Sequence, residues 1–208
     1  MGQVQVNKCG PGQKQALVAV GANLPVGSMT PEENVTAAMD MLEKRCGSTL
    51  RRSRLWRTPA YPEGAGPPFV NAALSLDWSG TARDLLTLLH EVEEAFGRQR
   101  TSRWEARKMD LDLIGLGDIV LPDAGGFRAW HDLSPEEAAT RMPEDLIVPH
   151  PRMDERVFVL APLCEVAPDW RHPVLGLTVR EMLDALPASD HEGVAPLASG
   201  DEGMDATR

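Results

Sequence analysis

Asp110 and Asp112 stand two residues apart in a segment where polar and apolar side chains alternate, Met109-Asp-Leu-Asp-Leu113. A strand turns alternate residues to the same face, about 7 Å apart at the Cα atoms. The spacing therefore predicts two carboxylates presented together, with Leu111 and Leu113 turned the other way. Hard oxygen donors so paired suit Mg²⁺, which takes one or two carboxylates and completes its shell with substrate phosphates and water. A solvated strand face would carry the same residues, since two carboxylates at that distance repel by only about 0.6 kcal/mol in water. The preceding loop tips the reading toward chemistry. Arg98, Arg100, Arg103, Arg107 and Lys108 are five of 21 cations in a chain of net charge −10, and Glu105 is the one acid among them. Guanidinium forks match phosphate oxygens, so a cationic loop leading into a carboxylate pair predicts a magnesium polyphosphate site.

Other residues have plainer readings. Trp104, in the same polar loop, is either a lid over a substrate or the anchor of a small satellite cluster. Phe69 and Phe158 are two of four phenylalanines and read as core residues. His150, between Pro149 and Pro151, reads as a hydrogen-bonded turn residue. Glu93 falls one helical step from an apolar stripe, on the solvent side. Gly21 and Asn23 read as turn chemistry. The chain has neither a GxxxxGK[ST] loop nor a kinase glycine-rich loop, so the two common ATP cradles are absent.

The elements that must position these residues follow from periodicity. Residues 16–20 form a short apolar, β-branched run that reads as a buried strand. Thr30-Pro-Glu-Glu33 is a capping box opening a helix to about Arg45. Residues 49–58 and 69–78 read as strands joined by a Pro- and Gly-rich loop that is long for a hairpin. Leu85, Leu88, Leu89, Val92 and Phe96 share one face of a second helix closed by Gly97. After the strand of Asp110 and Asp112, residues 115–147 look irregular, with Ser134 capping a short helix. Residues 154–165 read as helical, and Thr178 with Glu181 caps a last helix. The order strand, helix, strand, strand, helix, strand predicts an α+β, ferredoxin-like βαββαβ core, an antiparallel sheet with helices packed on one face.

A hydrophobic fraction of 42% with 25% charged residues is globular and excludes collagen-like, coiled-coil and wholly disordered chains. No apolar run is long enough for a membrane helix. Cys9, Cys46 and Cys164 form no CxxC pair and read as reduced thiols. The negative charge opposes general binding to nucleic acid or anionic membranes. Residues 1–14 read as a loose leader, 15–187 as the folded domain and 188–208 as a disordered acidic tail. The expectation is a monomeric cytoplasmic protein.

The stretch Arg103-Trp-Glu-Ala-Arg-Lys-Met-Asp-Leu-Asp-Leu-Ile114 resembles the signature of the 6-hydroxymethyl-7,8-dihydropterin pyrophosphokinases of folate biosynthesis. Further blocks agree in order: Val20-Gly-Ala-Asn-Leu24, Trp56-Arg-Thr-Pro59, Phe69-Val-Asn-Ala-Ala73, Phe96-Gly-Arg98, and Val148-Pro-His-Pro-Arg152 through Glu155-Arg-Val-Phe-Val-Leu160. The resemblance implies transfer of pyrophosphate from ATP to the pterin hydroxymethyl group, giving AMP, with small molecules as the only partners. It implies that Asp110 and Asp112 hold two Mg²⁺ ions and that Arg98 and Arg107 are catalytic, offsetting phosphate charge. ATP would meet Glu93, Arg98, Trp104, Arg107, His150 and Arg156. The pterin would stack between Phe69 and Phe158, with Thr58, Ala60 and Asn71 reading its edge. The chain departs from the family at Glu105, where a small residue is usual, in a slightly shortened loop 98–104, and in a longer stretch 118–145. Rival readings are a nucleotidyltransferase with a DxD metal pair and an RNA-binding module using the basic loop. The Trp-Arg-Thr-Pro and Val-Pro-His-Pro blocks oppose the first and the net charge opposes the second.

Overall fold

The computed structural model describes residues 12–60, 66–97 and 109–198. Strand β1 (Lys14–Ala22) is the apolar run expected over 16–20, two residues longer at each end. It lies between β5 (Asp110–Leu116) and β4 (Phe69–Trp78), antiparallel to both. Beyond β4 come β2 (Arg51–Arg52) and β3 (Trp56–Thr58), and with β6 (Ala195–Pro196) the six-stranded sheet has the order β5-β1-β4-β3-β6 with β2 also on β4. This is the antiparallel ferredoxin-like arrangement that the element order predicts. The strand expected over 49–58 is split around Ser53, whose hydroxyl takes over one ladder bond by accepting the Ala73 N–H at 2.8 Å.

Helices cover both faces of this sheet, which corrects the expectation of one. Val18, Val20, Val70, Ala72, Leu74, Leu111 and Leu113 pack against α1 (Pro31–Cys46) and α2 (Ala82–Ala95). On the other face Leu17, Ala73 and Ile114 pack against α5 (Val157–Val166) and α6 (Val179–Ala185). Central strands apolar on both sides, with Leu17 and Ala73 fully buried, require a second helical layer. The capping boxes expected at Thr30–Glu33 and Thr178–Glu181 form, Ser134 caps its short helix with Glu137 as reciprocal partner, and a further box, not read from the sequence, forms at Thr81–Asp84.

Three further differences follow from tertiary context. In the stretch expected to be irregular, α3 (Ala124–His131) precedes the expected short helix α4 (Pro135–Thr140). Two glycines lower its intrinsic propensity, but an Asp123 cap and the complete burial of Phe127 hold it in place. The helix expected over 154–165 starts instead with a 3-10 turn, Met153–Glu155, before α5. Within the segment read as a disordered tail, residues 188–198 hold a 3-10 turn and β6 (Ala195–Pro196), which pairs with β3. The Leu197 N–H donates to the Leu55 carbonyl at 2.8 Å and its side chain packs on the core. An open strand edge thus orders a segment that has little to bury by itself.

Candidate active site

The second face of the sheet is only partly covered by α5, and a cavity of about 270 Å³ lies where the cover ends. Strand pairing explains which side chains reach it. Asp110 is opposite Gly21 and Asp112 opposite Ala19 in β1, while Gly21 and Ala19 are in turn opposite Asn71 and Ala73 in β4. Because Leu111 and Leu113 belong to the α1–α2 core, the alternating aspartates face the cavity, as their spacing predicts. Both are partly buried. Thr58, Pro59 and Phe69, at the paired ends of β3 and β4, and Arg156, Phe158 and Val159, at the start of α5, complete the lining.

Asn71 is 8% exposed, and its amide donates to Thr58 Oγ1 at 2.8 Å. That bond leaves Asn71 Oδ1 lying over Gly21, where an added Cβ would stand 2.7 Å from it. Gly21 is therefore not turn chemistry. It is a strand residue with no side chain because the acceptor of Asn71 occupies that space. The glycine could have been read as part of the site only by knowing that 21 pairs with 71. Phe158 is 40% exposed, unlike the core residue that its type suggests, and its ring lies 5.7 Å from the Arg156 guanidinium carbon. Two aromatic rings, an oriented amide, an arginine and two carboxylates thus line one space, a lining suited to a flat heterocycle beside a charged polyphosphate.

Of the other expected site residues, Arg98, Trp104 and Arg107 lie outside the described residues, and so does Glu105. Glu93, His150 and Ala60 are described but are not part of the cavity lining. Glu93 is 1% exposed and not solvent-facing, and its Oε1 accepts the Leu111 N–H at 2.8 Å, between the two aspartates. The backbone N–H of His150 donates to the Ile114 carbonyl at 2.8 Å, and its Nδ1 accepts the Arg152 N–H at 3.2 Å. An accepting Nδ1 puts the ring proton on Nε2. Burial and the charge of Arg156 push His150 down to about 3 against the pull of Asp110, so the ring is a neutral N–H donor at working pH.

Asp110 and Asp112 fit Mg²⁺. No third His, Cys, Asp or Glu joins them in a metal-binding group among the described residues. Two hard carboxylates alone leave most positions to phosphate oxygens and water, as Mg²⁺ prefers. A larger and more open groove of about 560 Å³ lies along α3 and residues 141–147 and shares no lining residue with this cavity. Its charged lining has Arg141 over the Trp130 ring at 5.2 Å, and it lacks the paired carboxylates.

Comparison with known proteins identifies the family and the fold. Residues 17–168 match the model of the family described as 7,8-dihydro-6-hydroxymethylpterin-pyrophosphokinase. A protein of Synechocystis sp. named 2-amino-4-hydroxy-6-hydroxymethyldihydropteridine pyrophosphokinase is 33% identical over 189 residues, covering 89% of this chain and 81% of that one. A protein of the same name from Methylorubrum extorquens is 35% identical over 70% of this chain and 78% of its own. Among solved structures, wild-type Plasmodium falciparum HPPK-DHPS superposes with a TM-score of 0.56 over 83% of this chain, at 14% identity. The fold is thus shared, and this chain spans 44% of that longer protein.

Proposed function

Because the chain belongs to the 7,8-dihydro-6-hydroxymethylpterin-pyrophosphokinase family, we propose that the cavity between β1, β4, β5 and α5 is its active site. The activity is that of the family: pyrophosphate passes from ATP to the hydroxymethyl group of 6-hydroxymethyl-7,8-dihydropterin, leaving AMP, in folate biosynthesis. The observation that carries the assignment to this cavity is the convergence of Asp110 and Asp112 with Asn71, Phe69 and Phe158 on one face.

In this reading the pterin stacks between Phe69 and Phe158, and Asn71 Oδ1 accepts from its N–H edge while Thr58 holds the amide in orientation. The backbone near Thr58 and Ala60 reads the remaining edge. Arg156 and the Nε2–H of His150 contact ATP, with Arg98, Trp104 and Arg107 on the cationic loop completing its site. Glu93 acts from behind, by fixing the backbone of the strand that carries the aspartates. Asp110 and Asp112 would hold Mg²⁺, expected as two ions, which would supply charge neutralisation to the polyphosphate. The arginines counter the charge that gathers on the phosphates and the departing AMP. Orientation supplies the rest, since a hydroxyl held in line with the phosphorus replaces an encounter in solution.

Monomeric, cytoplasmic action on small molecules without nucleic acid fits the −10 charge and the absence, among the described residues, of any helix long and apolar enough to cross a membrane. We take 15–187 as the catalytic domain, with β6 packed on its edge. The test is to incubate the protein with ATP, Mg²⁺ and the reduced pterin alcohol. One AMP should appear per pterin diphosphate, and Asp110→Asn or Asp112→Asn should lower the rate at least about 100-fold with the melting temperature kept. Release of pyrophosphate, or no pterin-dependent AMP, would refute the reading.

A further inference from the structure

The stretch 118–145, longer here than the family resemblance leads one to expect, is tied to the body of the protein near the active site. Phe127 of α3 is fully buried, with its ring 5.4 Å from His131 and 5.0 Å from His172. His131 closes α3, and both of its ring nitrogens face carboxylates: Nδ1 is 2.7 Å from Asp132 Oδ1 and Nε2 is 3.0 Å from Asp154 Oδ2. A neutral imidazole has one N–H and cannot donate to both, so the imidazolium is the form that satisfies this geometry.

The surrounding charges agree. The titratable groups at this ring are Asp132 from its own helix end, Asp154 from the Met153–Glu155 turn and His172 from the loop before α6. His172 Nδ1 accepts the N–H groups of Val174 and Leu175. Burial, despite the charge of Asp154, holds its ring neutral, pushed down to about 4. His172 therefore gives Asp154 no counter-charge, which leaves that role to His131. Burial works against the charge on His131, but the hydrogen bonds and charges of Asp132 and Asp154 outweigh it and hold its pKa above the ordinary range.

Asp154 sits in the turn that joins His150 to Arg156. Met153 anchors that turn in the core, the Arg156 N–H donates to the Met153 carbonyl at 3.4 Å, and the Arg156 carbonyl accepts from Val159 and Leu160 at the start of α5. Arg156 and Phe158, two and four residues beyond Asp154, both line the cavity. We propose that protonated His131 is a positioning residue: by holding Asp154 it sets the turn from which Arg156 and Phe158 enter the active site, so substrate affinity falls when His131 loses its proton. The inference rests on the reading of that cavity as the pyrophosphokinase site.

The test compares the full-length protein with His131→Gln and Asp154→Asn variants. Kinetic constants are measured across neutral to alkaline pH, together with amide hydrogen exchange of residues 153–160 corrected for the intrinsic effect of pH. In the wild type the KM for the pterin should rise about fivefold with pH while kcat changes less than about twofold. Both variants should start at the raised KM and lack that pH-linked rise. The double variant should be no worse than either single one, as expected for partners in one interaction. Exchange in 153–160 should quicken with pH in the wild type and be fast throughout in the variants. A variant that loses thermal stability but keeps the wild-type KM profile would show a merely structural role and overturn the proposal. If exchange responds as expected but no turnover occurs, the active-site reading fails and the clamp stands. If exchange does not respond, the clamp fails whatever the cavity binds.

Discussion

Gly21 has ordinary extended backbone and needs no special φ, so its lack of a side chain has a purely spatial cause. Asn71 Oδ1 occupies the place of a Cβ, and the Thr58 hydroxyl keeps the amide from turning away. Gly21→Ala must displace that oxygen by several tenths of an ångström, because real Cβ atoms do not sit at 2.7 Å from a heavy atom. We expect the pterin KM to rise about tenfold, equivalent to about 1.4 kcal/mol, with the ATP KM changed less than about twofold. Steady-state kinetics with each substrate varied in turn decides it, and an equal loss for both would point to a distorted sheet. The glycine itself was visible in the sequence, but its partner fifty residues away was not. Phe158 shows the converse. Its residue type suggests core and only the family resemblance points to stacking, whereas its 40% exposure beside the cavity is a property of the fold.

Among the described residues β5 is the edge strand of the sheet, and one row of its backbone groups has no neighbouring strand there. Glu93 of α2 fills that role for Leu111, with Oε1 accepting its N–H. Periodicity placed Glu93 on the solvent side because a helical step says where a side chain leaves its own helix, not what edge lies opposite. Glu93→Ala should leave a buried N–H unpaired and cost roughly 1–3 kcal/mol, and by loosening β5 it should lower kcat as well. Glu93→Gln keeps an acceptor oxygen and should retain most of both. Urea denaturation alongside turnover measures the difference, and equal effects of the two variants would mean that the charge, not the acceptor, is what matters.

Over the described part of the molecule, two histidines with lowered pKa contribute to the response to acid. His150 and His172 are pushed down to about 3 and about 4, burial being the largest cause for each. Below their ordinary value of 6.5 the unfolded chain takes up protons that the folded one refuses, so stability falls as pH drops toward 4. Each contributes at most about 1.4 kcal/mol per pH unit. His131 runs the other way: its raised value supplies stability that is full below 6.5 and is lost as pH rises through the folded value. Chemical denaturation at pH 7 and pH 5 should show His172→Asn losing about 2 kcal/mol less than the wild type between the two. A second expectation concerns the C-terminal segment. Ending the chain after Pro187 removes β6 and Leu197 from the β3 edge and should cost roughly 1–2 kcal/mol of stability, whereas ending it after residue 198 should leave melting temperature and turnover unchanged.

The sequence by itself determined the helices with capping boxes, the strands of β1, β4 and β5, and the pairing of Asp110 with Asp112, because caps, apolar period and alternation depend on residues within one or two turns of each other. Only the tertiary structure decided what depends on approach between distant segments. It brought Asn71 over Gly21, turned Glu93 inward to the edge of β5, and drew β6 onto β3. It also made a helix of Ala124–His131 despite two glycines. The physical reason is common to all four: burial and hydrogen bonding reward a contact only where the fold has already brought its two sides together, and that proximity has no signature in local spacing.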